Sequence, residues 1–240
     1  MSDADLRALE RRWRETGQVE DEAAWLRARA QGGELSQERL ELAAYLGHEG
    51  ASIAASFGRC ASEGPEAPIA ALQAADVGTA SERLALMRGR VRAQRDSETF
   101  LAGLGRFGLE ARMRAAGAAV ALLEDSFRYE ATWLAYAAAL DWLQCPTEAV
   151  AEDCARLAAE VNPRFNDSGW KQHAVRCLAA APADESEGDL ALEAIGYAAT
   201  AGCDMANILS AIMADVVPWA LGYGDSLVER IKAHEREARS

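Results

Sequence analysis

The sequence predicts an all-α fold, and three observations predict it. Apolar residues recur at helical intervals, β-branched residues are scarce, and no run of four to eight residues alternates apolar with polar. The pattern is clearest from Gly108 to Cys145. Leu109, Met113, Ala116, Val120 and Leu123 follow at intervals of 4, 3, 4 and 3, and Tyr129, Trp133, Tyr136, Leu140 and Leu143 repeat those intervals. Each series marks one apolar stripe of a helix. The polar stretch 124–128 (EDSFR) is short enough to turn the chain, so the two stripes predict an antiparallel helical hairpin. Alanines beside the stripes leave little bulk and let neighbours approach on several sides. This hairpin is therefore expected at the centre of the fold.

The remaining elements follow in order. Ser2 with Asp5 can cap a first helix, whose stripe is Leu6, Leu9 and Trp13 and whose stop is Gly17. A second helix spans about 20–30, burying Ala23, Leu26 and Ala30, and ends at Gly32-Gly33. Ser36 caps a third, with Leu42, Tyr45 and Leu46 apolar, and Gly47-His48 turns into a short fourth, 49–57. Residues 58–68 read as a loop, 69–76 as a short helix, and Thr79 with Glu82 as a capping box opening a helix to Arg95. Ser97 can cap another to Arg106. Beyond Pro146, stripes at Val150, Cys154, Leu157 and Val161, then at Trp170, Ala174, Cys177 and Ala181, mark two helices. Two more follow at Leu190, Ala194, Tyr197 and Ala201, and at Met205, Leu209, Ile212 and Val216, with Pro218 expected to kink or end the last. A charged helix over 225–238 closes the chain.

A longer period overlies these stripes. Leu109 to Val150 is 41 residues and Val150 to Leu190 is 40, each interval holding two amphipathic helices and two short loops. A helical hairpin repeating every 40 to 47 residues or so is the signature of stacked α-solenoids, in which neighbours supply the core that one hairpin lacks. From about residue 108 to 222 the chain resembles HEAT-like helical-repeat proteins. The opening segment, LRALERRWRETG followed by LELAAYLGH, is similar to bacterial all-helical proteins described as immunity proteins. The expected organisation is an N-terminal helical bundle, 1–107, followed by a HEAT-like stack of antiparallel hairpins, 108–240, in one continuous domain.

Composition narrows the class. Half of the 240 residues are apolar and only 6 are Pro, which excludes disordered and collagen-like chains. The N-terminus lacks the apolar core of a signal peptide. The most apolar windows, 131–140 and 208–223, fall short of the roughly 20 uninterrupted apolar residues of a membrane span. A soluble, cytoplasmic protein is expected. The five cysteines (60, 145, 154, 177 and 203) form no CxxC and read as reduced, mostly buried thiols.

Charge is unevenly placed. The net charge of −13 resolves into −4 over residues 1–50, +2 over 51–114 and −11 over 115–240. The acidic C-terminal half disfavours nucleic acid and favours a basic partner. Its clusters, Glu124-Asp125, Glu152-Asp153 and Asp184-Glu185, fall near predicted hairpin turns and could line one edge of a stack. Glu148, Glu187 and Asp189 instead suit helix N-termini, where acids complement the dipole. One basic element, with Arg88, Arg92 and Arg95 at helical spacing, reads as a solvated face, an internal dock for the acidic half, or a contact for an anionic partner.

Catalytic and metal patterns are thin. Cys145, Cys154, His173 and Cys177 could be grouped as a zinc site, yet Cys145 and Cys154 lack ligand-pair spacing, and Cys154 and Cys177 sit on core stripes. No GxSxG, HExxH or phosphate loop is present. His48 falls at a turn and suits a helix end better than a general base. Trp133, Asp141 and Trp142 resemble the concave-face residues of helical-repeat DNA glycosylases, but the acidic surroundings do not suit a phosphate backbone. No cofactor is expected. The expected function is non-enzymatic protein binding through an acidic helical surface, as an immunity- or antitoxin-like inhibitor of a basic partner. The alternatives are a scaffold or adaptor in a larger assembly, and an enzyme whose site is assembled from distant His and Cys residues.

Overall fold

The computed structural model describes residues 3–56, 99–123, 130–162, 169–184 and 189–225, and every element among them is a helix. None of these helices is long and apolar enough to cross a membrane. The loop 58–68, the helices expected over 69–76 and 79–95, the hairpin turn 124–128 and the closing helix 225–238 lie wholly or almost wholly outside the described residues. The chain divides into two compact units, Met1–Phe100 with Val217–Gly224, and Leu101–Val216 with Asp225–Ser240. Residues 101–107 group with the second unit, and 217–224 leave the C-terminal half to join the first.

In the first unit, local signals set the helix ends. Helix α1, Asp3–Thr16, stops at Gly17, whose φ of +62° only glycine adopts without strain. Helix α2, Val19–Gln31, ends at Gly32 and Gly33, and the carbonyl of Arg29 accepts from the amides of Glu34 and Leu35. Ser36 caps α3, Gln37–Tyr45, its hydroxyl oxygen accepting from the Arg39 amide at 3.2 Å. Gly47, at φ +86°, then turns the chain into α4, Glu49–Ser56. Helix α2 packs against α1 and α4, and α3 packs against α4. Leu26, Leu40, Leu42 and Leu46 are sealed from water at the core of this bundle, each worth about 1.5–3 kcal/mol of burial. Leu6, Leu9 and Trp13 form the half-buried stripe by which α1 joins it.

The second unit is built from smaller side chains. Helix α5, Leu109–Ala121, is buried on every face from Met113 to Val120. With Ala115, Ala116, Gly117, Ala118 and Ala119 in that run, neighbours can close on it from several directions. Helices α6, Glu130–Gln144, α7, Glu148–Glu160, α8, Gly169–Ala180, and α9, Leu190–Thr200, follow. The element touching most of the others is α8, which packs against α5, α6, α7 and α9, while α5 also packs against α9. Thr147 caps α7 and Asp189 caps α9, as its N-terminal position suggests. Asp189 also pairs with Arg112 of α5. One buried charge is carried along: Arg114 is 3% exposed, bonds Glu110, Asp225 and the Leu143 carbonyl, and so meets the requirement that a buried cation be paired.

Helix α10, Met205–Leu221, contains Pro218, which neither ends it at once nor stops it short. Proline removes one amide donor and crowds the carbonyl four residues earlier, a loss confined to a single turn. The helix runs three residues further and closes at Gly222, where φ is +71°. Up to Val216 it belongs to the second unit, and from Val217 to the first.

Candidate functional site

The most organised group of polar side chains lies in the first unit, around Glu22. This residue occupies the inward face of α2, one turn before Trp25 and Leu26, and its side chain is 11% exposed. Its Oε1 accepts from the Tyr223 hydroxyl at 2.5 Å and stands 3.6 Å from His48 Nε2. Its Oε2 lies over Gly50, where a Cβ would come within 2.6 Å. The carboxylate thus rests on the first turn of α4, the end of a helix that favours negative charge.

His48 has two duties at this point. Its Nδ1 accepts from the Ala51 amide at 3.1 Å, so the ring caps α4. A neutral imidazole accepting at Nδ1 carries its proton on Nε2, the nitrogen that faces Glu22. Burial pushes the His48 pKa below its ordinary value, against the pull of Glu22 and Glu49. Tyr223 is held protonated, its pKa raised by burial and by the hydrogen bond to Glu22.

Aromatic rings surround the carboxylate. Trp13 stacks on Trp25 at 4.8 Å and on Tyr223 at 5.5 Å, and Trp25 and Tyr223 lie 5.8 Å apart with an interplanar angle of 15°. The Arg29 guanidinium sits 4.7 Å from the Trp25 ring centre and donates to the Leu221 carbonyl at 2.6 Å. It neutralises the C-terminal end of α10. Arg39 lies 4.3 Å from the Trp219 ring centre. Together these contacts hold Val217–Gly224 to the N-terminal helices. Chemically the group is closed: the phenol, both ring nitrogens and the carboxylate face one another or a backbone amide.

The second unit carries the other candidates. Two of its thiols are buried: Cys154 donates to the Ala138 carbonyl, Cys177 lies 3.9 Å from Glu193 Oε2, and burial pushes both up to about 11, away from the reactive thiolate. His173 stacks on Tyr197 at 5.2 Å, and burial together with Arg176 lowers its pKa. Cys145 is exposed, and among the described residues no three His, Cys, Asp or Glu side chains are grouped to hold a metal ion. A groove of about 360 Å³ runs between α7, α8 and α9, floored by Ala155, Ala158 and Ala180 and rimmed by Arg176 and Glu193.

Of the residues singled out from the sequence, Glu152 and Asp153 stand exposed on α7, and Asp153 pairs with Arg156 at 3.0 Å. Asp184 is half-exposed after the turn that ends α8. Glu124, Asp125, Glu185, Arg88, Arg92 and Arg95 lie outside the described residues. Trp142 is core, Trp133 is half-buried against Tyr136, and Asp141 is exposed. Sequence reasoning missed the group around Glu22. A signal existed on one side only, an acid one turn ahead of two core residues, and its partner Tyr223 is 201 positions away. No protein-family model, curated protein or solved structure matches this chain.

Proposed function

We propose that the protein is a non-enzymatic binding module that presents an acidic helical surface to a basic protein partner. The observation that carries this reading is the outer face of α7, where Glu148, Glu152, Asp153 and Glu160 are all exposed and Arg156 is the one base beside them. That face lies within residues 115–240, whose net charge is −11. Charge of this kind speeds encounter with an oppositely charged surface and makes association sensitive to salt. An immunity- or antitoxin-like inhibitor covering a basic active site is the form that fits best. A cytoplasmic location agrees with the reduced thiols.

Support for a binding role over an enzymatic one comes from the group around Glu22. There the Tyr223 hydroxyl is given to Glu22, His48 Nδ1 is given to the Ala51 amide, and Nε2 faces the carboxylate. The stacked-hairpin arrangement belongs to the same reading. It rests on the spacing of 41 and 40 residues and on the packing of successive helices, while the contact between α5 and α9 joins the first and third pairs, which a linear stack does not do. A scaffold or adaptor role is the second reading, favoured by the exposed side chains of Leu134 and Trp170.

Changing Glu152, Asp153, Asp184 and Glu185 together to Lys separates the two. The inhibitor is expected to lose its partner while its circular dichroism stays unchanged, and the wild-type association rate should fall by tenfold or so between about 50 and 200 mM salt. A partner retained by the fourfold variant, at a rate indifferent to salt, contradicts the acidic-surface reading.

A further inference from the structure

We propose that Glu22, His48 and Tyr223 form an acid-sensitive latch that fastens the segment Val217–Gly224 to the N-terminal helices and releases it as His48 gains a proton. The segment enters the first unit at Val217 and leaves it after Gly224; its first five residues end α10 and bury Val217, Trp219, Ala220 and Leu221, and side-chain anchors fasten it further. Those anchors are the Tyr223 hydroxyl on Glu22, the Trp13–Trp25–Tyr223 stack, Arg29 on the Leu221 carbonyl and Arg39 over Trp219.

Protonation acts on the latch in two ways. The first is competition for one oxygen. Neutral His48 leaves Glu22 Oε1 to the Tyr223 hydroxyl, but an imidazolium is a charged donor only 3.6 Å from that oxygen. The phenol's bond is itself charge-assisted through the carboxylate, and a cation beside the shared oxygen draws off part of that charge and weakens it. The second is the loss of an acceptor. A proton on Nδ1 ends the bond from the Ala51 amide, and α4 loses its cap. Both changes loosen the ground on which Tyr223 rests.

The other charges near His48 are accounted for. Glu49, its chain neighbour, and Glu22, from α2, draw the proton towards it, while burial keeps it away. Also on α2, Asp21 is tied to Arg12 and Thr16, Arg27 reaches the Ile53 carbonyl, and Arg29 is bound at Leu221. On α3, Glu38 is exposed, and Arg39 and Glu41 are half-exposed. From the segment itself, Tyr223 meets the imidazole edge-on at 6.3 Å. The closed latch thus binds a proton less readily than an open one, in which His48 returns to about 6.5. Opening is favoured as pH falls below that value and levels off beneath the closed-state value.

Hydrogen exchange of the full chain, read by mass spectrometry between pH 7.5 and 5.0 and corrected for intrinsic rates, tests this. In the wild type, the opening constant of peptides covering 217–224 should rise by up to about tenfold per pH unit below about 6.5. His48→Asn keeps a good capping acceptor and removes the titration, so its profile should be flat. Glu22→Gln removes a charge that favours the imidazolium in the closed latch, so its rise should still begin near pH 6.5 and level off at a lower pH than in the wild type. A flat wild-type profile, an equally steep one in His48→Asn, or one abolished by Glu22→Gln while His48→Asn remains steep would each overturn the latch.

Discussion

The two units close their helices by different means. In the second, contact is made by what is missing: α5 presents alanines and a glycine on nearly every face, and α9, which packs against it, buries Ala191, Ala194 and Ala198. Small side chains let helix axes approach closely, and the energy is spread over many weak dispersion contacts. In the first unit, a leucine core holds α2, α3 and α4, while the segment 217–224 adds to its buried Val217, Trp219, Ala220 and Leu221 a few strong points, a buried carboxylate, a stack of three rings, Arg29 on the Leu221 carbonyl and Arg39 over Trp219. The difference teaches that spread contacts tolerate no added volume, whereas point contacts can be released one at a time.

Substitutions sharpen that contrast. The largest effect is expected in the leucine core. Leu26→Ala should cost about 2–5 kcal/mol, measured by urea unfolding, because a sealed cavity replaces a side chain with no exposure. In the second unit the damaging change runs the other way. Ala116→Leu should cost about 1–3 kcal/mol by overpacking, read as a lowered urea midpoint. An Ala116→Leu variant as stable as the wild type would show that α5 has room around it, and the contrast would fail.

Legibility in the sequence follows the same divide. Helix ends depend on one or two residues acting locally, so Gly17, Gly33, Gly47, Ser36 and Asp189 could each be read directly. The core of the second unit was also readable, because Met113, Ala116, Val120 and Leu123 lie on a stripe whose period is the helix itself. Spacing does not say which stripes meet, so the central place of α8 was not visible. Nor could a pattern within one helix show that Tyr223 reaches Glu22, since a side-chain anchor requires no periodicity. His48 was read as a helix-end residue, and it does cap α4 through Nδ1, while its second nitrogen faces Glu22 for reasons set by the chain's return 175 positions later. Pro218 does not itself end α10, which runs three residues further, and its missing amide falls within the last turn.

The docking of α1 and of the start of α2 depends on anchors borne by 217–224, and the second unit does not depend on them. Amide exchange of a Tyr223→Ala variant at pH 7.5 addresses this. Exchange should rise at least tenfold in Asp3–Thr16 and at the start of Val19–Gln31, corresponding to about 1.4 kcal/mol of lost protection, and stay unchanged in Leu109–Ala121. Unchanged exchange in all three helices, or an equal rise in Leu109–Ala121, would contradict it.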